Sequence, residues 1–383
     1  MEPEPEPAAA KPRRQRDFGR LFKRPTQAQI RAAVGAWAVA DGPVLRAACD
    51  CDAPGYQELP RVGRGDWLSE HKEDGQTFTR YSRASFKTGP HGYFDKIGLV
   101  PIGDFGAGGT EAEPSLTALA ELSAAYFGCK ATIVPPVPAG AIAGGVPTDQ
   151  LLAGQVQAHL LEREFQKALP RGTFCTVGVT MQDLTIEKDG EVWNFVFGQA
   201  SLMDAVGVFS FARYTPTFGG DRVGSAAERA KLMLRRSARV LVHETGHIFG
   251  LKHCVHFLCV MNGHNSLEES DASVMHLCPV CLRKLHSNVG FDVVERYTAL
   301  QAWYHQHGLD EEEAWVTDRM EYLRTTCAPC APATASQKTA AAAGAVSGAR
   351  AGAGSSRKAD GGVGGRRGAE RATAKQAPPG SRE

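Results

Sequence analysis

Apolar side chains recur along the middle of the chain at two periods, one of a strand and one of a helix. Residues 26–40 are Ala-rich with apolar positions at helical spacing, and Gly42-Pro43 is expected to stop that helix. Residues 41–90 are turn-rich and carry no clear period. From residue 97 the pattern alternates: a strand at 97–102, a helix at 115–127, a strand at 129–134, then a long amphipathic helix at 149–169 that Pro170 and Gly172 end. Three strand-like runs follow, at 174–180, 192–200 and 205–214. Ser225 with Glu228 three residues on has the spacing of a capping box, which starts a helix running to about Phe249. Residues 254–290 show little periodicity, and 291–307 and 311–323 read as helices. This alternation predicts an α/β (α+β) fold with a mixed, mostly parallel sheet packed on helices, the last two strand runs forming an antiparallel edge. No internal repeat is visible.

Composition trims the 383 residues to a smaller folded part. Residues 331–383 hold 16 Ala and 10 Gly and no Leu, Ile, Phe, Tyr or Trp, too little apolar surface to offset the entropy of ordering. Residues 1–25, with Glu-Pro repeats and basic clusters, read the same way. The expected division is a disordered 1–25, a partly helical extension at 26–94, a catalytic domain at 95–308, a C-terminal helix at 309–330 and a disordered tail at 331–383. Both ends are basic. The C-terminal tail has nine Lys/Arg against three Asp/Glu, and residues 1–25 have seven against four. With +1 overall, residues 26–330 are acidic by eight charges, which argues against a nucleic-acid partner for the core.

The start of the chain holds no 7–15-residue apolar run of the kind found in a secretory leader, and residues 134–147 are too short and too rich in Pro and Gly to span a bilayer. A cytoplasmic protein is expected, with nuclear entry open through Arg13-Arg14-Gln15-Arg16 and Arg366-Arg367. Ten cysteines in that setting suggest metal ligands or free thiols rather than disulfides.

The chemistry concentrates at His243-Glu-Thr-Gly-His247-Ile-Phe-Gly250-Leu-Lys-His253. His243 and His247, four apart on a helix, present both imidazoles on one face, which suits two ligands of one zinc. Glu244 lies beside them, off the ligand line, where it can act on a water as general base and acid. Were the helix to continue, His253 would sit about 9 Å further along and on another face. Gly250 offers the exit, because glycine readily takes the left-handed conformation that ends a helix. Gly246, inside the helix, costs it roughly 1 kcal/mol for no evident return beyond close packing.

A second constellation follows at once. Cys254-x4-Cys259 and, 18 residues later, Cys278-Pro-Val-Cys281 have the spacing of a structural zinc site with four thiolates. Closed coordination leaves no reactive position, so this ion would staple the loop after the active-site helix. It would also fix the direction from which His253 arrives. Two zincs per chain are expected.

HExxHxxGxxH followed directly by C-x4-C-x-M and a later CxxC resembles the archaemetzincin family of zinc metallopeptidases, in a eukaryotic form. The resemblance covers roughly residues 95–308 and includes Cys278-Pro-Val-Cys-Leu-Arg-Lys-Leu285 and Gly290-Phe-Asp-Val-Val-Glu-Arg-Tyr297. It implies a metzincin-like fold with the active-site helix at the floor of the cleft. It also implies a catalytic zinc on His243, His247 and His253, with Glu244 as base, and a second zinc on the four cysteines. Met261 would be the Met-turn methionine beneath the catalytic metal, although spacing alone makes it ordinary core. Some metzincins carry Tyr two residues after that Met as a further ligand; here the position is Gly263. The resemblance further implies peptide substrates, aligned along the edge strand at 192–200, and a leaning towards short peptides and aminopeptidase-like cleavage. No residue suited to a free α-amine stands out. No membrane partner is expected, and a monomer is the default.

The remaining signals are weaker. Gly103-Asp-Phe-Gly-Ala-Gly-Gly109 lacks dinucleotide-binding spacing and reads as a loop. Cys327 and Cys330 form a lone CxxC beside the tail, and Cys49 and Cys51 have no partner histidine. His256, His264 and His276 lie near the zinc residues without ligand spacing. Trp193, Phe195 and Phe197 alternate as packing residues would. The competing reading is a catalytically weak zinc-stapled scaffold, and an intact Glu244 speaks for the enzyme.

Overall fold

The computed structural model describes residues 22–327, apart from 86, 107, 143–149, 189, 190, 193, 194, 202, 217 and 219–223. The expectations for 331–383, for most of 1–25, and for Trp193 and Cys330 lie outside the described residues.

Nine strands are described: β1 (Lys96–Ile102), β2 (Lys130–Ile133), β3 (Gln150–Leu152), β4 (Thr173–Thr180), β5 (Asp183–Thr185), β6 (Glu187–Lys188), β7 (Glu191–Val192), β8 (Gly198–Ser201) and β9 (Val206–Ser210). Five of them form one sheet in the order β2-β1-β4-β9-β8. Its first four strands are parallel neighbours, and β8 joins β9 antiparallel at the edge. This is the mostly parallel sheet with an antiparallel edge that the alternating pattern predicts.

Strand side chains alternate between two apolar layers, as a period of two requires. Ile97 and Leu99 of β1, Cys175, Val177 and Val179 of β4, and Phe209 of β9 face the larger core. There they meet helices Leu116–Phe127, Ala226–Ile248, Pro279–Val289 and Val293–Gln306. Val100, Ile102, Val206 and Val208 face the opposite way, against Ala153, Val156 and Leu160 of helix Ala153–Leu160. Both faces of the sheet are therefore covered, which suits its near-continuous apolar strands.

Three sequence expectations change. The helix expected over 26–40 stops at Val34, where Gly35 turns with φ +82°, and Pro43 opens a new helix, Pro43–Ala48, at a position where its missing N–H is no loss. The helix expected over 149–169 divides in three: β3 pairs with β5, and helices Ala153–Leu160 and Arg163–Ala168 follow separately. Apolar spacing is compatible with both outcomes here, and pairing with a strand distant in sequence decides. The strand expected over 192–200 is interrupted. Glu191–Val192 pairs with β6, Val196 makes a single bridge to Leu184, and only Gly198–Ser201 joins the main sheet. Among the described residues no helix is long and apolar enough to cross a membrane.

Candidate metal centre

Helix Ala226–Ile248 begins as its capping box predicts. Glu228 N–H donates to Ser225 Oγ (3.3 Å), and Glu228 Oε2 accepts from Ser225 N–H (2.7 Å). Its C-terminal half is buried and carries His243 and His247 one turn apart, rings 4.8 Å centre to centre. Gly250 then takes φ +86° and donates its N–H to His247 O (2.8 Å), so the chain leaves the helix where expected. The turn returns His253 to its predecessors, at ring distances of 5.4 Å from His243 and 4.9 Å from His247.

The second nitrogen of each ring decides what the cluster can do. His243 Nδ1 lies 2.7 Å from Val260 O, His247 Nδ1 2.7 Å from Leu251 O, and His253 Nδ1 2.8 Å from Glu73 Oε1. A carbonyl or carboxylate oxygen can only accept, so each Nδ1 carries a proton, and a ring neutral in that tautomer keeps its lone pair on Nε2. Burial, then the neighbouring imidazoles, holds His243 well below the usual histidine range and brings His247 down to about 3. The Nε2 atoms of His243 and His247 face one another at 3.1 Å. Two lone pairs at that range repel unless a cation lies between them, so the donor set fits a bound zinc. Glu244 stands next to this cluster, largely buried, with Oε1 4.0 Å from His243 Nε2.

Met261 is fully buried below the helix. A Cβ on Gly246 would come within 2.7 Å of Met261 Sδ, which supplies the reason for a glycine inside the helix. Position 263 is closed in the same way: a Cβ there would lie 2.5 Å from Trp67 Nε1. The indole fills the space a larger side chain would need.

Cys254, Cys259, Cys278 and Cys281 converge in a second cluster, all buried, and all nine described cysteines are free thiols. Cys254 Sγ lies 3.5 Å from Cys278 Sγ, and Cys259 Sγ accepts the Cys278 N–H at 3.3 Å. Cys278 caps helix Pro279–Val289 and Cys281 sits in its first turn, where the helix dipole favours negative charge. Hydrogen bonds from Cys259, Cys278 and Cys281 hold the Cys254 thiol well below its ordinary range, while burial pushes Cys259 and Cys278 up. Four buried soft donors with no open side suit closed coordination of zinc. Asn262 braces the loop, accepting from Cys259 N–H (2.8 Å) and donating to Cys254 O (2.8 Å) and Phe257 O (3.0 Å).

The discounted residues fall outside both clusters. His256 Nδ1 is 3.9 Å from Cys254 Sγ, the His264 ring is 6.2 Å from that of His243, and His276 stacks on Trp315 at 3.8 Å. Cys327 Sγ rests 3.7 Å from Pro43 O. Phe195 packs against Phe197 and under the Arg213 guanidinium.

Sequence reasoning misses a whole flank of the site. Gln76 Nε2 donates to Gly250 O (3.1 Å) while its Oε1 accepts from Lys252 N–H (3.1 Å), and Tyr81 OH donates to Phe249 O (2.8 Å). Glu73 and Trp67 reach the site from the same turn-rich stretch. Burial pushes the Glu73 carboxyl up, but hydrogen bonds from His253 and Trp67 outweigh it and leave the group below its ordinary value. No spacing in 41–90 signals these contacts.

Three imidazoles beside a carboxylate, next to a cluster of four buried thiols, are the donor set of a zinc hydrolase rather than of a purely structural zinc domain. Comparison with known proteins gives the family. Residues 164–287 match the model of peptidase family M54. The chain is 37% identical over 260 residues to archaemetzincin-2 of Macaca fascicularis, spanning 62% of this chain and 71% of that protein. To Homo sapiens archaemetzincin-2 it is 35% identical over 267 residues, spanning 64% and 73%. The solved archaemetzincin of Archaeoglobus fulgidus is 26% identical, with a TM-score of 0.37 over 49% of this chain and 99% of that one. The chain belongs to the archaemetzincin family and is a zinc metallopeptidase.

Proposed function

We propose that the chain hydrolyses peptide bonds at a zinc held by His243, His247 and His253, with Glu244 as general base and acid, while a second, structural zinc is held by Cys254, Cys259, Cys278 and Cys281. The observation that carries this reading is the 3.1 Å approach of two Nε2 atoms whose rings are each committed to donating from Nδ1. A zinc held by these three imidazoles would supply Lewis acidity towards a water and the peptide carbonyl it attacks. Val260 O, Leu251 O and Glu73 keep the three rings turned inward. Met261, packed under Gly246, gives the cluster an apolar floor. Glu244 takes a proton from the attacking water and delivers it to the departing amine, one carboxylate serving both halves of the reaction.

The substrate lies along β8, the antiparallel edge of the main sheet, which runs beside the active-site helix. Short peptides cleaved from a free N-terminus are the proposed substrates, on the family resemblance.

The test is cleavage of a peptide library by wild type and Glu244→Ala, with zinc counted in both. Two zincs in each protein and cleavage by wild type alone is the expected result. Full activity in Glu244→Ala would remove Glu244 from the mechanism. Two zincs and no cleavage by either would favour the scaffold reading. Paired substrates with free and acetylated N-termini test the aminopeptidase preference, which requires the acetylated series to resist cleavage.

A further inference from the structure

We infer that Glu73 is a positioning residue for the third zinc ligand: its carboxylate, delivered from far outside the HExxH segment, orients His253 and makes it the strongest donor of the three. The inference rests on the zinc reading above.

The three imidazoles are not aimed alike. His243 and His247 project from one rigid helix, and each gives its Nδ1 proton to a backbone carbonyl at 2.7 Å. His253 lies beyond the helix end, after the Gly250 turn, and lacks that support. It meets instead a carboxylate at 2.8 Å, 180 residues earlier in the chain. An ionised acceptor on the far nitrogen fixes ring orientation and raises the basicity of the metal-facing nitrogen more than a carbonyl does.

Glu73 is itself held. Its Oε1 also accepts from Trp67 Nε1 at 3.0 Å, and the Trp67 indole packs edge-on to the His253 ring at 4.9 Å, over Gly263. Trp67 is then anchored to the loop beyond Met261. Glu269 accepts both from Trp67 N–H (3.1 Å) and from Asn265 N–H (2.7 Å), and Asn265 Nδ2 donates to Gly65 O (3.0 Å). The segment from Gly65 to Glu73 is thus clamped at its start and delivers the carboxylate at its end. A chance surface ion pair would have neither the anchoring nor the burial, the His253 side chain being 11% exposed and that of Glu73 22%.

The test uses the full chain, titrated with zinc against a chelating competitor, as wild type, Glu73→Ala and Glu73→Gln. In Glu73→Ala the cysteine site should keep its zinc while the histidine site binds 10–100-fold more weakly. Glu73→Gln retains a carbonyl acceptor that can still orient the ring and should recover part of that loss, the remainder measuring what the carboxylate charge adds. A general packing role would not produce this pattern, since it would weaken both sites and would not be rescued by Gln. Equal histidine-site affinity in Glu73→Ala and wild type overturns the inference, and so does parallel loss of both zincs in both variants. A wild type holding zinc only at its cysteines overturns the zinc reading itself, and the wild-type titration alone reveals it.

Discussion

The two donor clusters of this chain touch through one peptide bond, between His253 and Cys254, yet they are built in different ways. The thiol cluster is local: all four donors lie between residues 254 and 281, every one is buried, and two of them sit at the start of one helix. The imidazole cluster draws its donors from a helix and a turn, its acceptors from positions 73, 251 and 260, and its floor from Met261. A closed site needs only ligands and a loop short enough to surround the ion. An open site must also hold its ligands without the fourth one, and the surrounding fold supplies that restraint.

The largest break in this comparison should come from Cys259→Ser. Losing one thiolate from the closed site removes a metal staple from the core and should cost on the order of 4–5 kcal/mol or more, with loss of one bound zinc. Urea denaturation together with zinc counting measures this, and wild-type stability would deny the cluster a structural role.

A smaller effect separates the open site's floor from its ligands. Gly246→Ala should gain roughly 1 kcal/mol of helix propensity but lose about 1–3 kcal/mol by forcing Met261 aside. The expected outcome is a net loss near 1 kcal/mol with reduced turnover. A raised melting temperature with full activity would mean that Met261 yields freely.

The imidazole side also carries a pH dependence, which the thiol side does not share. In the metal-free chain, burial brings His247, His264 and His276 each to about 3. The unfolded chain, with ordinary values near 6.5, then binds protons more readily than the folded one. Acid therefore favours unfolding: stability should be at its plateau above pH 6.5 and fall as the pH drops towards 3. The slope is at most about 1.4 kcal/mol per pH unit for each imidazole. Denaturation midpoints of the metal-free protein at pH 7.5 and 5 test this, and no change between them would contradict the burial of these rings.

The legible parts of this protein are those where chemistry demands a residue type at a fixed spacing. The clustering of His243, His247 and His253, that of the four cysteines, and the Gly250 turn could be read directly, because their spacing and helix termination act over a few residues. The mostly parallel sheet was legible for a related reason, since strands buried on both faces make runs such as 97–102 and 174–180 stand out. What could not be read depends on partners brought together by folding. Gly246 looked like a cost until Met261 came beneath it. Residues 150–152 looked helical until β5 arrived beside them. Glu73 carries no local signal, since a lone carboxylate in a turn-rich stretch is ordinary until His253 is 2.8 Å away.

That carboxylate redraws the smallest piece of the chain able to work. The motif resemblance, drawn over roughly residues 95–308, would set a minimal fragment to begin near residue 95, ahead of the first central strand. Such a fragment would carry every ligand and still be incomplete, because Trp67 would no longer shield Gly263 and His253 would lose its acceptor. Removal of everything before residue 95 would take Glu73 away while sparing the whole HExxHxxGxxH segment. Part of the site thus rests on a stretch of chain that carries no motif of its own.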